Sequence, residues 1–172
     1  MVVIRKAEVE DAAGIAHVQV QSWRTTYAGI VPETFLAGMR EDEQTARWRL
    51  LLSDDVVATV AEREGKIVGF AIAGASRDRT EGCDAELYAI YLLAVDQGLR
   101  IGTELLRETA RGLCERGFTS MDVWVLAANS AKQFYERRGA RHAAAKEIEI
   151  GGVALTEHAY VWAELNGLAS LP

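Results

Sequence analysis

The residues best suited to chemistry lie where an apolar run ends in a turn that contains glycine. Residues 87–95 are apolar, residues 96–102 form the turn, and a helical pattern opens at Thr103. A helix that begins at such a turn has several unpaired backbone N–H groups at the positive end of its dipole. The sequence therefore predicts that main-chain N–H groups at this turn bind phosphate.

The glycine spacing of the turn indicates which kind of phosphate it holds. Dinucleotide-binding loops require G-x-G-x-x-G and nucleotide-triphosphate loops require G-x-x-x-x-G-K-S/T, whereas this turn has neither spacing and no lysine. The turn resembles the Q/R-x-x-G-x-G/A loop of the GNAT superfamily of N-acyltransferases, which holds the pyrophosphate of acetyl-coenzyme A (acetyl-CoA). Gln97 and Gly102 match that loop, and Arg100 replaces its middle glycine.

A second segment strengthens the resemblance. Residues 129–139 resemble the N-x-x-A-x-x-F-Y-E-x-x-G helix of the same superfamily, with Asn129 one residue closer to Phe134 than in the commonest form. Three further segments resemble one bacterial branch of the superfamily, namely residues 22–32, 86–91 and 159–162. The matches follow one another in the family order along the chain.

The resemblance implies an N-acetyltransferase that moves the acetyl group of acetyl-CoA to a primary amine by direct transfer in a ternary complex. It also implies a mixed α/β fold whose central sheet is partly splayed and has helices on both faces. The pantetheine arm would enter the gap between two strands, and the turn would hold the pyrophosphate. The implied cofactor-binding residues are Leu92, Leu93, Ala94, Gln97, Gly98, Leu99, Arg100, Ile101, Gly102, Thr103 and Asn129.

Tyr135 is the residue that we expect to donate a proton to the departing thiolate. A phenol with a pKa of ~10 is protonated at neutral pH and can donate to a thiolate whose acid has a pKa of ~8.5. Phe134 and Tyr135 point about 100° apart on a helix, so Phe134 can fill the core while Tyr135 faces the cleft. The alternative for Tyr135 is a core tyrosine whose hydroxyl has a partner, and for Asn129 it is a helix N-cap.

Glu86 is the predicted catalytic base, because a carboxylate at the mouth of the apolar strand can take the proton of the amine through a water. The alternative is a solvated glutamate at the end of a strand. Strand alternation predicts that Glu86, Tyr88 and Ile90 share one face and that Leu87, Ala89 and Tyr91 share the other. Tyr27 is expected to contact the acceptor, since in the superfamily its helical arm forms one wall of the acceptor site.

Length and composition restrict the remaining classes. The 172 residues suit one N-acetyltransferase domain, 1–172, and the net charge of −6 argues against nucleic acid as a partner. Cys83 and Cys114 are too few for a disulfide scaffold, and no spacing with histidine indicates a metal site. No apolar run approaches the ~20 residues of a membrane helix, so we expect a cytoplasmic protein. Its expected partner is a small-molecule or peptide amine, and any self-association is expected to give a homodimer.

Periodicity and turn residues predict the elements that hold these residues in place. Strands are expected at 2–4, 56–62, 67–73, 87–95, 121–126, 147–150, 153–155 and 159–162, and helices within 11–53 and at 103–116 and 131–138. Gly151 and Gly152 form a strong hairpin signal. Gly112 lies inside a predicted helix, where glycine costs about 1 kcal/mol relative to alanine, and the sequence does not explain it.

Two other functions are compatible with these patterns. One is a catalytically silent acyl-CoA-binding module, which the replacement of glycine by Arg100 favours. The other is a nucleotide-binding signalling domain. A covalent route through cysteine is less favoured than direct transfer, because neither Cys83 nor Cys114 lies in an evident electropositive pocket.

Overall fold

The computed structural model of the chain describes residues 1–171 and contains one seven-stranded sheet with helices on both faces. The strands are β1 Val2–Lys6, β2 Val57–Arg63, β3 Lys66–Ala75, β4 Ala85–Leu92, β5 Met121–Leu126, β6 Arg141–Ile150 and β7 Val153–Trp162. The helices are α1 Ala12–Thr26, α2 Glu33–Gly38, α3 Glu41–Leu52, α4 Ile101–Glu115, α5 Ala131–Glu136 and α6 Leu165–Ala169. None of these helices has the length and apolar character that crossing a membrane requires.

The strand order in the sheet is β1-β2-β3-β4-β5-β7-β6. All neighbouring strands are antiparallel except β4 and β5, which are parallel. A parallel pair needs a crossover connection, which α4 provides between β4 and β5. The predicted mixed α/β class is therefore confirmed.

Helices cover the two faces of the sheet with separate cores. Ile15 of α1, Trp48 of α3 and Phe70 of β3 belong to the core on one face, whereas α4 and α6 pack on the opposite face. Gly112 of α4 lies against the sheet, because a Cβ there would be 2.7 Å from a side-chain methyl of Val57. This close approach accounts for the glycine that the sequence left unexplained.

A β-bulge in β4 alters the predicted alternation of its side chains. Tyr88 has no partner in the register between β3 and β4. The β4 side chains after Tyr88 therefore point to the faces opposite to those that strict alternation predicts. Leu87 and Ile90 both pack in the core beside α4, and Tyr88 and Ala89 both pack in the core beside α1. The predicted alternation along β4 is thus wrong beyond the bulge.

Other element boundaries also differ from the sequence-based predictions. β4 ends at Leu92 instead of Val95, and α4 begins at Ile101 instead of Thr103. β6 starts six residues earlier than predicted, because it is an edge strand whose exposed side chains carry no alternating pattern. β7 is one continuous strand, since hydrogen bonds to β5 and β6 on either side hold its polar middle extended.

Candidate active site

The parallel strands β4 and β5 separate soon after they meet. They pair only at Ala85 with Met121 and at Glu86 with Asp122, and the bulge at Tyr88 increases the bend of β4 beyond that point. The gap between them, here called the cleft, has a cavity volume of about 510 Å³. Its walls come from α1, β4, β5, α5 and the turn before α4. A gap of this shape exposes strand edges that can pair with an extended ligand.

The turn before α4 lies at one end of the cleft. Within residues 1–171 the N–H groups of residues 98–102 have no hydrogen-bond partner, whereas the Thr103 N–H donates to the Arg100 carbonyl at 2.9 Å. Gly98 and Arg100 have φ angles of +77° and +63°. Left-handed backbone costs a residue other than glycine roughly 1–2 kcal/mol, so Arg100 is strained where the family loop has glycine. The unpaired N–H groups at the start of a 15-residue helix form an anion-binding concavity.

Three arginines line the cleft near this turn: Arg100, Arg137 and Arg138. The Arg138 guanidinium lies 4.0 Å from the centre of the Phe134 ring and donates from Nε to Thr103 Oγ1 at 3.0 Å. Burial lowers the pKa of Arg138, and the neighbouring charge of Arg137 lowers it further. In a chain of net charge −6, this local positive charge suits a polyanionic ligand. Sequence reasoning missed Arg137 and Arg138, although they follow the F-Y-E motif directly.

The end of β4 departs from the predicted cofactor contacts. Leu92 lines the cleft, and its carbonyl accepts hydrogen bonds from Ser22 Oγ at 3.3 Å and Gln97 Nε2 at 3.2 Å. The Leu93 N–H already donates to a β3 carbonyl at 2.9 Å, so it is not available to a ligand. Ala94 begins a short 3₁₀ helix and, like Leu93, is absent from the cleft wall. Ser22 is a cleft residue that the sequence did not indicate.

Tyr135 lies in the wall of the cleft, packed against the rings of Phe134, Tyr160 and Trp162. Its side chain is buried, and its hydroxyl has no hydrogen-bond partner within residues 1–171. Burial raises the pKa of Tyr135, and the nearby Tyr27 raises it further. The phenol is therefore protonated at neutral pH and has a free proton to donate.

Asn129 joins two walls of the cleft. Its Nδ2 donates to the Tyr27 hydroxyl at 3.2 Å, and its Oδ1 accepts from the Ala131 N–H at 2.9 Å. The second bond satisfies an orphan donor at the start of α5. Burial raises the pKa of Tyr27, so this hydroxyl is also protonated at neutral pH. Ser130 holds the N-cap position of α5, so Asn129 caps the helix from the residue before it, while it also lines the cleft.

Glu86 lies outside the cleft. Its side chain is buried, and Arg77 binds both carboxylate oxygens, with Nη2 at 2.5 Å from Oε1 and Nε at 3.0 Å from Oε2. The neighbouring Asp122 is completely buried and has no hydrogen bond to either carboxylate oxygen within residues 1–171. Burial raises the pKa of Asp122. The structure therefore separates Glu86 from Tyr135 and pairs it with a guanidinium.

A second cavity of about 310 Å³ adjoins the cleft; we call it the acidic cavity. Its charged lining residues are Arg77, Asp78, Glu86, Lys146 and Glu157. It shares Leu87, Tyr88 and Trp124 with the cleft wall. A wider groove of about 920 Å³ beside α2 holds none of the residues predicted to act.

The two cysteines are free, and neither lines the cleft. Burial raises the pKa of both thiols, so neither is a reactive thiolate at neutral pH. Among residues 1–171 no group of His, Cys, Asp and Glu side chains is arranged to hold a metal ion.

Comparison with known proteins agrees with this geometry. Residues 54–139 match the family model "Acetyltransferase (GNAT) domain". The chain is 39% identical over 171 residues, 99% of its length and 98% of the other protein, to "Uncharacterized N-acetyltransferase YuaI" of Bacillus subtilis. The chain belongs to the GNAT acetyltransferase family. The resemblance predicted from the turn and from the α5 segment is thereby confirmed.

Two further relatives of this GNAT acetyltransferase extend the comparison. The "Spermidine N(1)-acetyltransferase" of Thermoplasma acidophilum is 26% identical over 141 residues, 79% of this chain and 86% of that protein. The crystal structure of the PaiA N-acetyltransferase from the same organism, in complex with coenzyme A, superposes with a TM-score of 0.69. It is 23% identical, and the match covers 92% of this chain and 98% of that one.

Family membership makes the chain an acyltransferase that takes acetyl-CoA as co-substrate. The residues present fit that molecule. The unpaired N–H groups of the turn and the arginines beside it suit a diphosphate, and the gap between β4 and β5 is open to an extended arm.

Proposed function

We propose that this GNAT acetyltransferase moves the acetyl group of acetyl-CoA to a primary amine by direct attack of the amine on the thioester. The observation that carries the proposal is the cleft itself. Beyond Asp122 it is open between β4 and β5, with unpartnered N–H groups at one end and the unpartnered Tyr135 hydroxyl in its wall. Donor and acceptor would meet there in a ternary complex.

The donor would be held mainly by main-chain groups. The N–H groups of residues 98–102 point to the pyrophosphate as their partner, and Arg100 and Arg137 are the charged side chains free to pair with phosphate oxygens. Leu92 and Asn129 would contact the arm along the cleft. The Gln97 side chain donates to the Leu92 carbonyl, so we do not assign it a contact with the pyrophosphate.

Tyr135 is proposed as the acid that protonates the departing thiolate. Its hydroxyl is protonated at neutral pH and free of partners within residues 1–171, which is the state that a general acid requires. Neither of the two free thiols lines the cleft, and this supports direct transfer over a covalent cysteine intermediate. Glu86 stays a prediction as the base.

The acceptor is proposed to be a small-molecule or peptide amine that approaches as a cation. Three carboxylates line the acidic cavity beside the cleft, and a relative at 26% identity is named for spermidine. Tyr27, buried in the opposite wall and bonded to Asn129, would contact the acceptor once it reaches the thioester. A cytoplasmic location and a homodimer both stay predictions.

An amine panel tests the proposal. Purified protein is incubated with acetyl-CoA and spermidine, simple alkylamines, amino acids or peptides with a free N-terminus, and free thiol and acceptor mass are measured. We expect thiol release that depends on at least one amine, with addition of one acetyl group to that amine. Binding of coenzyme A without thiol release from any amine would leave the catalytically silent module, which the guanidinium on Glu86 and the strained Arg100 favour.

A further inference from the structure

The three carboxylates of the acidic cavity differ in their partners. Lys146 Nζ binds Asp78 at 2.6 Å, and Arg77 binds Glu86 through both oxygens. Glu157 has no hydrogen bond or ion pair to any side chain within residues 1–171. A half-buried carboxylate with both oxygens free is the one group in this cavity ready to receive a cation.

The cation nearest to Glu157 in the sheet is directed elsewhere. Lys146 lies directly across from Glu157 in the β6–β7 register. Its ammonium nevertheless lies 3.9 Å from the centre of the Trp124 ring and bonds to Asp78. The cavity therefore already holds one ammonium between an aromatic face and a carboxylate, which is the arrangement that an alkylammonium ligand favours.

The position of Glu157 along the sheet separates it from Glu86. Glu157 pairs with Leu126 at the open end of β5, whereas Glu86 pairs with Asp122 at the end where β4 and β5 still join. Four residues of strand, about 13 Å at ~3.3 Å per residue, separate these two levels. Glu157 is therefore beside the open part of the cleft.

Tyr27 links Glu157 electrostatically to the proposed acid. Burial raises the pKa of Tyr27, and the charge of Glu157 adds to that rise. Tyr27 in turn adds to the raised pKa of Tyr135. Tyr27 is thus near both groups, and it lines the cleft together with Tyr135.

We propose that Glu157 is the catalytic base, which binds the ammonium of the acceptor at the boundary between the acidic cavity and the cleft and takes its proton. This inference rests on the proposed amine acetylation. One proton passes from R–NH₃⁺ to the Glu157 carboxylate, which later releases it to water. The amine then forms the C–N bond, the C–S bond breaks, and the proton lost by the nitrogen replaces the one that Tyr135 gives to the sulfur.

The surroundings of Glu157 tune it for this step. Burial raises its pKa, the charges of Asp78 and Glu86 raise it further, and those of Lys146 and Arg77 lower it. A carboxylate whose pKa lies above its ordinary value is a stronger base near neutral pH.

The test compares Glu157→Gln with Glu149→Gln, a matched change on the exposed face of the same hairpin. With the best acceptor of the panel at pH 7, we expect Glu157→Gln to lower kcat/KM by about 10²- to 10⁴-fold. The loss should shrink as pH rises and free amine becomes available, while the KM for acetyl-CoA stays unchanged. Glu149→Gln should match the wild type. Glu157→Asp keeps the carboxylate and should restore the pH profile at a reduced kcat.

Two results would overturn the inference, and they differ from each other. If the wild type acetylates an amine and Glu157→Gln keeps its rate within twofold at every pH, Glu157 is not the base and the proposed function stands. If the wild type binds coenzyme A and acetylates no amine, the proposed function fails and the inference fails with it.

Discussion

The donor side and the acceptor side of the site are built differently. The donor side comes from one stretch of chain, from β4 through the turn to α5, and its main features are main-chain N–H groups. The acceptor side collects single side chains from distant segments, such as Arg77, Lys146 and Glu157. A local stretch can be recognised by its spacing, whereas scattered side chains are brought together only by the register of the sheet.

The largest effect that we expect on the donor side comes from Tyr135→Phe. The variant removes only a hydroxyl that has no partner among the described residues, so the fold and the binding of coenzyme A should be nearly unchanged. Loss of the proton donor should lower kcat by about 10²- to 10⁴-fold. Stopped-flow thiol release and calorimetric titration with coenzyme A measure the two quantities.

An unchanged kcat in Tyr135→Phe would remove Tyr135 from the mechanism. A matched loss of coenzyme A affinity would instead show that the hydroxyl binds the cofactor. Tyr160→Phe is the control, because Tyr160 packs beside Tyr135 and does not line the cleft.

Glu86→Gln tests which carboxylate belongs to the acceptor side. If Glu157 is the base, Glu86→Gln should keep kcat/KM within about threefold and leave the basic rise of the rate with pH intact. The variant weakens a charge-assisted pair with Arg77. Such a bond contributes about 1.5–3 kcal/mol, but the Arg77 side chain is 69% exposed, so we expect a loss near 1 kcal/mol.

Urea unfolding and a pH–rate profile of Glu86→Gln check both parts. If the rate of Glu86→Gln no longer rises with pH, Glu86 is the base, as the sequence predicted. The amine would then lose its proton near the end of the cleft where β4 and β5 are paired.

The difference between the donor side and the acceptor side also explains how much of the structure could be predicted from the sequence. Gln97 to Gly102 and the F-Y-E segment are each short continuous stretches, so their resemblance to the GNAT motifs could indicate the fold class and predict a donor site. The role of Glu157 depends on its register with Lys146 and Leu126, and β6 carries no alternating pattern that would reveal that register. The bulge at Tyr88 depends on the pairing of β4 with β3, so the face of each later β4 residue could not be read from β4 alone.

Asp122→Asn tests the end of the cleft where β4 and β5 are still paired. The fold raises the pKa of Asp122 above its ordinary value of 3.8, so the folded state holds a proton that the unfolded chain releases. The free energy of unfolding therefore falls as pH rises from 3.8 through the raised pKa. Above the raised pKa the loss of stability is complete. Asp122→Asn has no such proton. Its stability relative to the wild type should therefore increase with pH across that window, as measured by urea unfolding at several pH values. A difference that does not change with pH would mean that the fold does not raise the pKa of Asp122.

Arg100 has a strained left-handed backbone and a guanidinium that lines the cleft, and two variants separate the two effects. Arg100→Gly relieves the left-handed backbone and should stabilise the fold by up to about 1 kcal/mol, since the greater freedom of glycine in the unfolded chain offsets part of the gain. Arg100→Ala keeps the strain and should give no gain. Both variants lose a guanidinium that lines the cleft, so both should bind coenzyme A several-fold more weakly, with the difference shrinking at high salt because charges are screened.

If both variants bind coenzyme A as the wild type does, the main-chain N–H groups alone hold the diphosphate. The arginine would then be only a strained replacement for glycine, and the donor side would bind the diphosphate through backbone geometry alone.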